Sequence, residues 1–191
     1  MLSDPLLVVS ALAQVFDDLG IRYLVGGSLA SSVYGIPRAT QDVDLVADLK
    51  PDSVQAFHDR LASTFYVDVD MIRDAIARRA SFNVIHLETM FKADIFIMKF
   101  DSWSREEMTR ARSEQFEGPD GPRSVRFASP EDTLLHKLIW YKLGNEISDR
   151  QWSDVLGVLK VQAGTLDEAY LDRWAPLLDV MQLLVRARAQ R

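Results

Sequence analysis

Apolar side chains recur every three or four positions near both ends of the chain, a spacing that predicts amphipathic helices. The first such stripe ends before Gly20 and consists of Leu6, Val9, Leu12, Ala13 and Phe16. Beyond residue 128 the same spacing predicts four helices, over residues 130–143, 148–162, 166–174 and 177–189. Ser129 and Pro130 suit the N-cap and the first position of the first of these four.

The middle of the chain contains short segments that are apolar or that alternate polar and apolar residues, as strands do. The predicted strands cover residues 23–25, 42–46, 67–70, 82–87, 91–98 and 124–127. The connection between residues 87 and 91 is short enough for a hairpin. Helices are expected over residues 29–34, 51–64, 71–79 and 104–113, and a loop over residues 118–122.

These elements predict an α+β fold, in which helices flank a mixed β-sheet of about four or five strands and a C-terminal helical subdomain follows. We place the sheet-bearing core at residues 1–127 and the helical subdomain at residues 128–191. The length of 191 residues fits one full domain with a small appendage.

The composition excludes several classes of function. The chain has 28 Asp and Glu against 22 Lys and Arg, which argues against a protein that binds DNA by neutralising many phosphates. Because it has no Cys and its three His are scattered, we expect no disulfide, no thiolate nucleophile and no zinc site. No apolar stretch approaches a membrane span and the first residues lack a basic leader, so we expect no membrane partner and a cytoplasmic protein.

The first candidate feature is Gly26-Gly27-Ser28, between a predicted strand and a predicted helix. Residues without a Cβ let backbone N–H groups approach a ligand, and the N-terminus of a helix favours negative charge. This arrangement is typical of a phosphate site, although Gly-Gly-Ser is also a common plain turn.

The second feature is Asp42-Val43-Asp44, where the period of two places both carboxylates on one face of a strand. Paired carboxylates suit Mg²⁺ or Mn²⁺, which bridge to phosphate oxygens. The alternative is a polar strand face in water. Asp68-Val69-Asp70 has the same spacing but follows no glycine turn.

The third feature is Asp94, a single acidic residue in an otherwise apolar strand, where an unpaired carboxylate is costly to bury. If this strand lies beside the strand of Asp42 and Asp44, the three carboxylates can hold divalent cations. Alternatively, Lys92 pairs with Asp94 from the same strand face.

These motifs, Leu24-Val25-Gly26-Gly27-Ser28, Asp42-Val43-Asp44-Leu45 and Lys92-Ala93-Asp94, resemble the DNA polymerase β-type nucleotidyltransferase superfamily. Within it the chain is most similar to the bacterial minimal nucleotidyltransferases that include AbiEii-like toxin proteins. Pro130-Glu131-Asp132, Lys137 and Arg150-x-x-x-Asp154 match the C-terminal motifs of that group. The resemblance covers roughly residues 20–160 and implies that residues 1–127 are a nucleotidyltransferase core.

The resemblance further implies that Gly26, Gly27 and Ser28 cradle the triphosphate of an NTP. From the family, this NTP is expected to be ATP or GTP. It implies that Asp42, Asp44 and Asp94 bind magnesium or manganese and that Asp94 helps to deprotonate the acceptor hydroxyl. Lys137 is expected to reach the triphosphate. Arg38 and Thr40 share the parity of Asp42 if residues 38–44 are continuously extended, so they face the nucleotide or stabilise the loop.

The acceptor is left open among tRNA, a protein side chain and a small molecule, all of which relatives in the superfamily use. The alternative function is a nucleotide-binding regulatory module without turnover, with a cognate toxin or antitoxin as its partner. For Arg150 and Asp154, which are four residues apart, the first interpretation is a surface salt bridge within one helix.

Overall fold

The computed structural model describes residues 4–118 and 121–190. The chain divides into two compact units. The sheet unit consists of Met1–Gly26 and Thr40–Phe127, and the helical unit consists of Gly27–Ala39 and Ala128–Arg191. The boundary expected after residue 127 stays a prediction, and the two units differ from it because residues 27–39 group with the later helices.

The sheet unit contains a mixed sheet of seven strands among the described residues, more than the sequence predicts. The strands are β1 (Tyr23–Val25), β2 (Asp42–Ala47), β3 (Phe65–Tyr66), β4 (Ser81–His86), β5 (Lys92–Ile97), β6 (Arg112–Gly118) and β7 (Gly121–Phe127). Their order is β3-β4-β5-β2-β1-β7-β6. Strand β2 is parallel to β5 and β1 is parallel to β7, whereas the other neighbours are antiparallel. The α+β class and the hairpin of β4 and β5 are confirmed.

One face of this sheet forms the core of the unit. Along β2 and β5 every second residue is buried, and these residues are Val43, Leu45, Ala47, Ala93, Ile95 and Ile97. The helices of this unit are α1 (Asp4–Asp18), α3 (Val54–Leu61), α4 (Val69–Arg78) and α5 (Ser102–Arg110). The Phe16 ring of α1 stacks on Tyr23 and on Phe57, each at 5.1 Å between centroids. The intervening residues of β2 and β5 are left half-buried on the opposite face.

The helical unit contains α2 (Gly27–Tyr34), α6 (Pro130–Leu143), α7 (Asp149–Val161), α8 (Glu168–Leu177) and α9 (Met181–Arg188). Ser129 caps α6 as predicted, since its hydroxyl accepts a hydrogen bond from the Asp132 N–H. The same hydroxyl donates to Asp132 Oδ2 at 2.6 Å, and the Tyr170 hydroxyl donates to Asp132 Oδ1 at 2.5 Å. These buried bonds tie the first turn of α6 to α8.

Two glycines allow the end of α2 to approach α7 closely. A Cβ on Gly35 would lie 2.9 Å from the Val158 backbone nitrogen, and a Cβ on Gly157 would lie 3.2 Å from the Ile36 nitrogen. Side chains at these two positions would therefore push the backbones apart. This approach brings the segment after α2, which contains Arg38, beside α7.

Two sequence predictions about the sheet are wrong. Residues 67–70 are not a strand, because the Asp68 side chain accepts hydrogen bonds from the N–H groups of Asp70 and Met71 and caps α4. Strand β6 follows α5, where the sequence predicts a helix to residue 113 and then only a loop. Pro119 and Asp120, within the predicted loop, lie outside the described residues. In the described ranges, no helix combines the length and apolarity needed to span a membrane.

Candidate functional site

The sheet unit carries a row of carboxylates on the half-buried face of its sheet. Asp42 and Asp44 project from β2 because the residues between and after them, Val43 and Leu45, are buried in the core. Strand β5 lies beside β2 in parallel register, with Asp44 opposite Asp94 and Asp42 opposite Lys92. The neighbour relation on which the three-carboxylate hypothesis depends is therefore observed.

Lys92 binds Asp94, as the alternative interpretation of this pair predicts. The Lys92 Nζ atom donates a hydrogen bond to Asp94 Oδ2 at 2.6 Å, and the Asp94 side chain is 23% exposed. The hydrogen bond to Asp94 raises the pKa of Lys92 above its usual value, and the charges of Asp94, Asp42 and Asp44 raise it further against the opposing effect of desolvation. The ammonium group of Lys92 therefore lies in the field of all three carboxylates.

Thr40 and Gly26 support the carboxylate row from neighbouring segments. The Thr40 hydroxyl donates to the Asp42 backbone carbonyl at 2.8 Å and lies 3.4 Å from Asp42 Oδ1. The Gly26 N–H donates to the Asp44 carbonyl at 2.8 Å, so this N–H belongs to the sheet and is not directed at a phosphate. Strand β2 begins only at Asp42, so the parity that the sequence assigns to Arg38 and Thr40 does not apply.

The chemistry of these side chains fits a divalent cation. Carboxylate oxygens are the ligands that Mg²⁺ and Mn²⁺ prefer, and the bound Lys92 ammonium shows that the row already attracts a cation. As the side chains stand, no three Asp, Glu, His or Cys residues of the described ranges are arranged to hold a metal ion.

The helical unit carries a second cluster, formed by Ser28, Arg38, Lys137 and Asp154. Arg38 donates from Nε to Asp154 Oδ1 and from Nη2 to Asp154 Oδ2, each at 2.8 Å. Lys137 Nζ lies 2.8 Å from Asp154 Oδ2. The Ser28 hydroxyl accepts from Arg38 Nη2 at 2.6 Å and from Lys137 Nζ at 3.4 Å. Asp154 and Ser28 thus hold two cations close to the first turn of α2.

Burial and charge set the state of Asp154. The side chains of Lys137 and Asp154 are each 4% exposed, and that of Arg38 is 24% exposed. Desolvation by itself raises the pKa of Asp154, but hydrogen bonds and charges from Arg38 and Lys137 outweigh it and lower the pKa below its usual value. Asp154 is therefore ionised and holds both cations. Gly27, the first residue of α2, has φ +57°, a conformation that glycine adopts without strain.

The role of Asp154 differs from the one that its position in the sequence predicts. Asp154 pairs with Arg38 and Lys137, whereas Arg150 is exposed, so the salt bridge expected within α7 is wrong. The signal in the sequence that could have pointed to Asp154 is the Arg-x-x-x-Asp pattern, which is part of the family resemblance. Of the other predicted residues, Gly26, Thr40, Asp42, Asp44 and Asp94 lie in the sheet unit, and Gly27, Ser28, Arg38 and Lys137 lie in the helical unit.

No model of a known protein family matches the sequence, and no curated protein sequence matches it. Among solved structures, the chain is similar to an antigenic nucleotidyltransferase-like protein from Paracoccidioides brasiliensis, with a TM-score of 0.52 and 18% identity over 94% of this chain and 89% of that chain. This likeness shows that the chain has a nucleotidyltransferase-like fold, which agrees with the fold expected from its motifs.

Two other solved structures have lower TM-scores. The lincosamide antibiotic adenylyltransferase LnuA, bound to lincomycin, has a TM-score of 0.46 and 14% identity over 78% of this chain and 92% of its own. ANT(2'')-Ia in complex with adenylyl-2''-tobramycin has a TM-score of 0.47 and 12% identity over 95% of this chain and 97% of its own. The statement on the fold rests on the first structure alone.

Proposed function

We propose that the protein is a metal-dependent nucleotidyltransferase that moves a nucleoside monophosphate from an NTP to an acceptor hydroxyl. The observation that carries this proposal is the parallel register of β2 and β5, which places Asp44 directly opposite Asp94. Asp42 is two residues before Asp44 on the same face of β2. A divalent cation held by these carboxylates would neutralise phosphate charge and favour ionisation of the acceptor hydroxyl. The nucleotidyltransferase-like fold supports the same conclusion.

Nucleotidyl transfer forms one bond to the α-phosphorus and breaks another. The acceptor oxygen forms a bond to the α-phosphorus, the bond between the α-phosphorus and the bridging oxygen breaks, and pyrophosphate leaves. The Asp94 carboxylate accepts the acceptor proton. Asp42, Asp44 and Asp94 would hold the cation, and the Thr40 hydroxyl keeps the Asp42 backbone in place.

Binding of the triphosphate is assigned to Ser28, Arg38 and Lys137 and to the first turn of α2. Phosphoryl transfer depends on charge neutralisation more than on a protein nucleophile, and this cluster offers two cations and a hydroxyl. Gly26 and Gly27 connect β1 to α2 without side chains. The positive φ of Gly27 favours glycine at the turn. The acceptor is a hydroxyl of tRNA, a protein or a small molecule.

A thermal-shift panel tests the binding half of this proposal. The purified chain is melted with each NTP, with and without Mg²⁺ or Mn²⁺, beside the variant Asp42→Asn/Asp44→Asn. We expect a metal-dependent rise in Tm with at least one NTP that disappears in the variant, because a ligand of the native state stabilises it by mass action. Asp52→Asn/Asp70→Asn, which removes two exposed carboxylates of the sheet unit, is the matched control. Absence of any NTP shift would contradict the proposal.

A further inference from the structure

The Lys92 side chain holds the position that a cation would take beside Asp94. The Lys92 Nζ atom donates a hydrogen bond to Asp94 Oδ2 at 2.6 Å. Lys92 also lies opposite Asp42 in the pairing of β2 with β5. Residues i and i+2 lie on the same face of a strand, so the two partners of this salt bridge are brought together by β5 alone. The third carboxylate therefore carries a covalently attached counter-ion before any ligand arrives.

The three neighbouring carboxylates give no group arranged to hold a metal in the described part of the chain, and one of them is paired with an ammonium group. One oxygen of Asp94, Oδ2, accepts the hydrogen bond from Lys92 Nζ. A divalent cation that contacts Asp94 either displaces the ammonium or shares the carboxylate with a positive charge a few ångströms away. Like charges at such distances repel even in bulk water, and repel more strongly where the protein excludes water.

We propose that Lys92 is a tethered counter-cation that competes with the divalent metal for Asp94 and thereby lowers the metal affinity of the carboxylate row. The inference rests on the proposed function, since it takes Asp42, Asp44 and Asp94 as the metal ligands. A cation would bind first at Asp42 and Asp44, and Asp94 joins only when Lys92 leaves it.

Direct titration of Mn²⁺ into the nucleotide-free full chain tests this inference, with free Mn²⁺ measured by electron paramagnetic resonance. We expect Lys92→Gln to bind Mn²⁺ roughly five- to tenfold more tightly than the unmodified chain, because the Asp94 carboxylate then joins the cation without first losing an ammonium partner. Lys92→Arg keeps the charge and is expected to bind as weakly as the unmodified chain.

Lys50→Gln is the matched control. Lys50 also pairs with a carboxylate of the sheet unit, Asp48, but its partner is not part of the row. Its loss removes the same charge and is expected to leave the Mn²⁺ affinity unchanged. A thermal melt establishes that each variant folds, and Lys92→Met is the second neutral variant if Lys92→Gln does not.

Asp94→Asn combined with Lys92→Gln isolates the competition. The gain in affinity from Lys92→Gln is expected to disappear in the double variant, because the ligand that Lys92 blocks is then missing. An unchanged affinity in Lys92→Gln, or a gain that survives Asp94→Asn, would overturn the inference.

The outcome also separates this inference from the proposed function. If Asp42→Asn/Asp44→Asn weakens Mn²⁺ binding while Lys92→Gln leaves it unchanged, the metal site stands and the competition is wrong. If neither the unmodified chain nor any variant binds Mn²⁺, both the inference and the metal dependence of the proposed function are wrong.

Discussion

Arg38 and Asp154 form a two-point ion pair although 116 residues separate them in the chain. Both contacts are 2.8 Å long, and the planar guanidinium matches the carboxylate in the paired geometry that makes such bonds strong. Lys137 binds the same carboxylate at 2.8 Å. Asp154 is thus the anion that holds the two cations assigned to the triphosphate.

Replacing Asp154 by Asn should destabilise the protein strongly. The change leaves Lys137, which is nearly buried, and Arg38, which is mostly buried, without their shared counter-ion. We expect a loss of about 3 kcal/mol in the free energy of unfolding, measured by urea denaturation at neutral pH. Asp172→Asn, which breaks an exposed ion pair with Arg188, should cost less than about 1 kcal/mol. Equal losses in the two variants would refute the role given to Asp154.

The pH dependence of stability provides a second test of this carboxylate. The pKa of Asp154 is lower in the folded protein than its ordinary value of 3.8, because Arg38 and Lys137 outweigh desolvation. Its stabilising contribution is therefore complete well above pH 3.8 and is lost as the pH falls below that value toward the folded-state pKa. The difference in unfolding free energy between the unmodified chain and Asp154→Asn should stay constant near neutrality and shrink in acid. A difference that grows in acid would contradict this sign.

Gly35 and Gly157 should tolerate alanine to different degrees. A Cβ on Gly35 would lie 2.8 Å from the Ser31 carbonyl oxygen and 2.9 Å from the Val158 nitrogen, whereas a Cβ on Gly157 would come no closer than 3.2 Å to Ile36. We expect Gly35→Ala to lower the unfolding free energy by about 1–3 kcal/mol and Gly157→Ala by less. Thermal denaturation of the two variants measures the order, and the reverse order would show that the approach of α2 to α7 is not limited at Gly35.

Substitutions in the two Asp-x-Asp motifs should affect different properties, stability in one motif and the response to NTP in the other. Asp68 caps α4 by accepting hydrogen bonds from the Asp70 N–H at 2.8 Å and the Met71 N–H at 2.9 Å. Asp68→Ala is therefore expected to cost about 1 kcal/mol of stability and to leave the NTP-induced rise in Tm intact. Asp42→Asn should abolish that rise while the variant stays folded. Loss of the nucleotide response in Asp68→Ala would contradict this division.

These motifs also show what sequence patterns can predict. Asp42 and Asp44 lie on one strand face as expected, because Val43 and Leu45 between and beside them are buried. The same spacing at Asp68 and Asp70 forms a helix cap instead, since the Asp68 side chain bonds the backbone two and three residues ahead. Spacing alone did not separate the two, and the sequence predicts a strand at both.

Two features left weaker signals in the sequence. Strand β6 lies at the edge of the sheet beside β7, and its side chains at residues 112–116 are exposed or half-buried. Backbone hydrogen bonding therefore defines this strand, and no apolar alternation marks it. The Arg38 partner of Asp154 depends on the approach of α2 to α7 and lies 116 residues away in the chain. Local spacing pointed to Arg150 instead, four residues away on the same helix.

Transfer of a labelled nucleotide tests the central claim most directly. The chain is incubated with Mg²⁺ or Mn²⁺ and NTPs labelled at the α-phosphate, together with tRNA, a protein extract or a small-molecule pool, and incorporated label and released pyrophosphate are measured. We expect incorporation into at least one pool, and a loss of at least about a hundredfold in Asp42→Asn/Asp44→Asn but not in Asp52→Asn/Asp70→Asn. NTP binding without label transfer or pyrophosphate release in any pool would contradict the account and indicate a nucleotide-binding module without turnover.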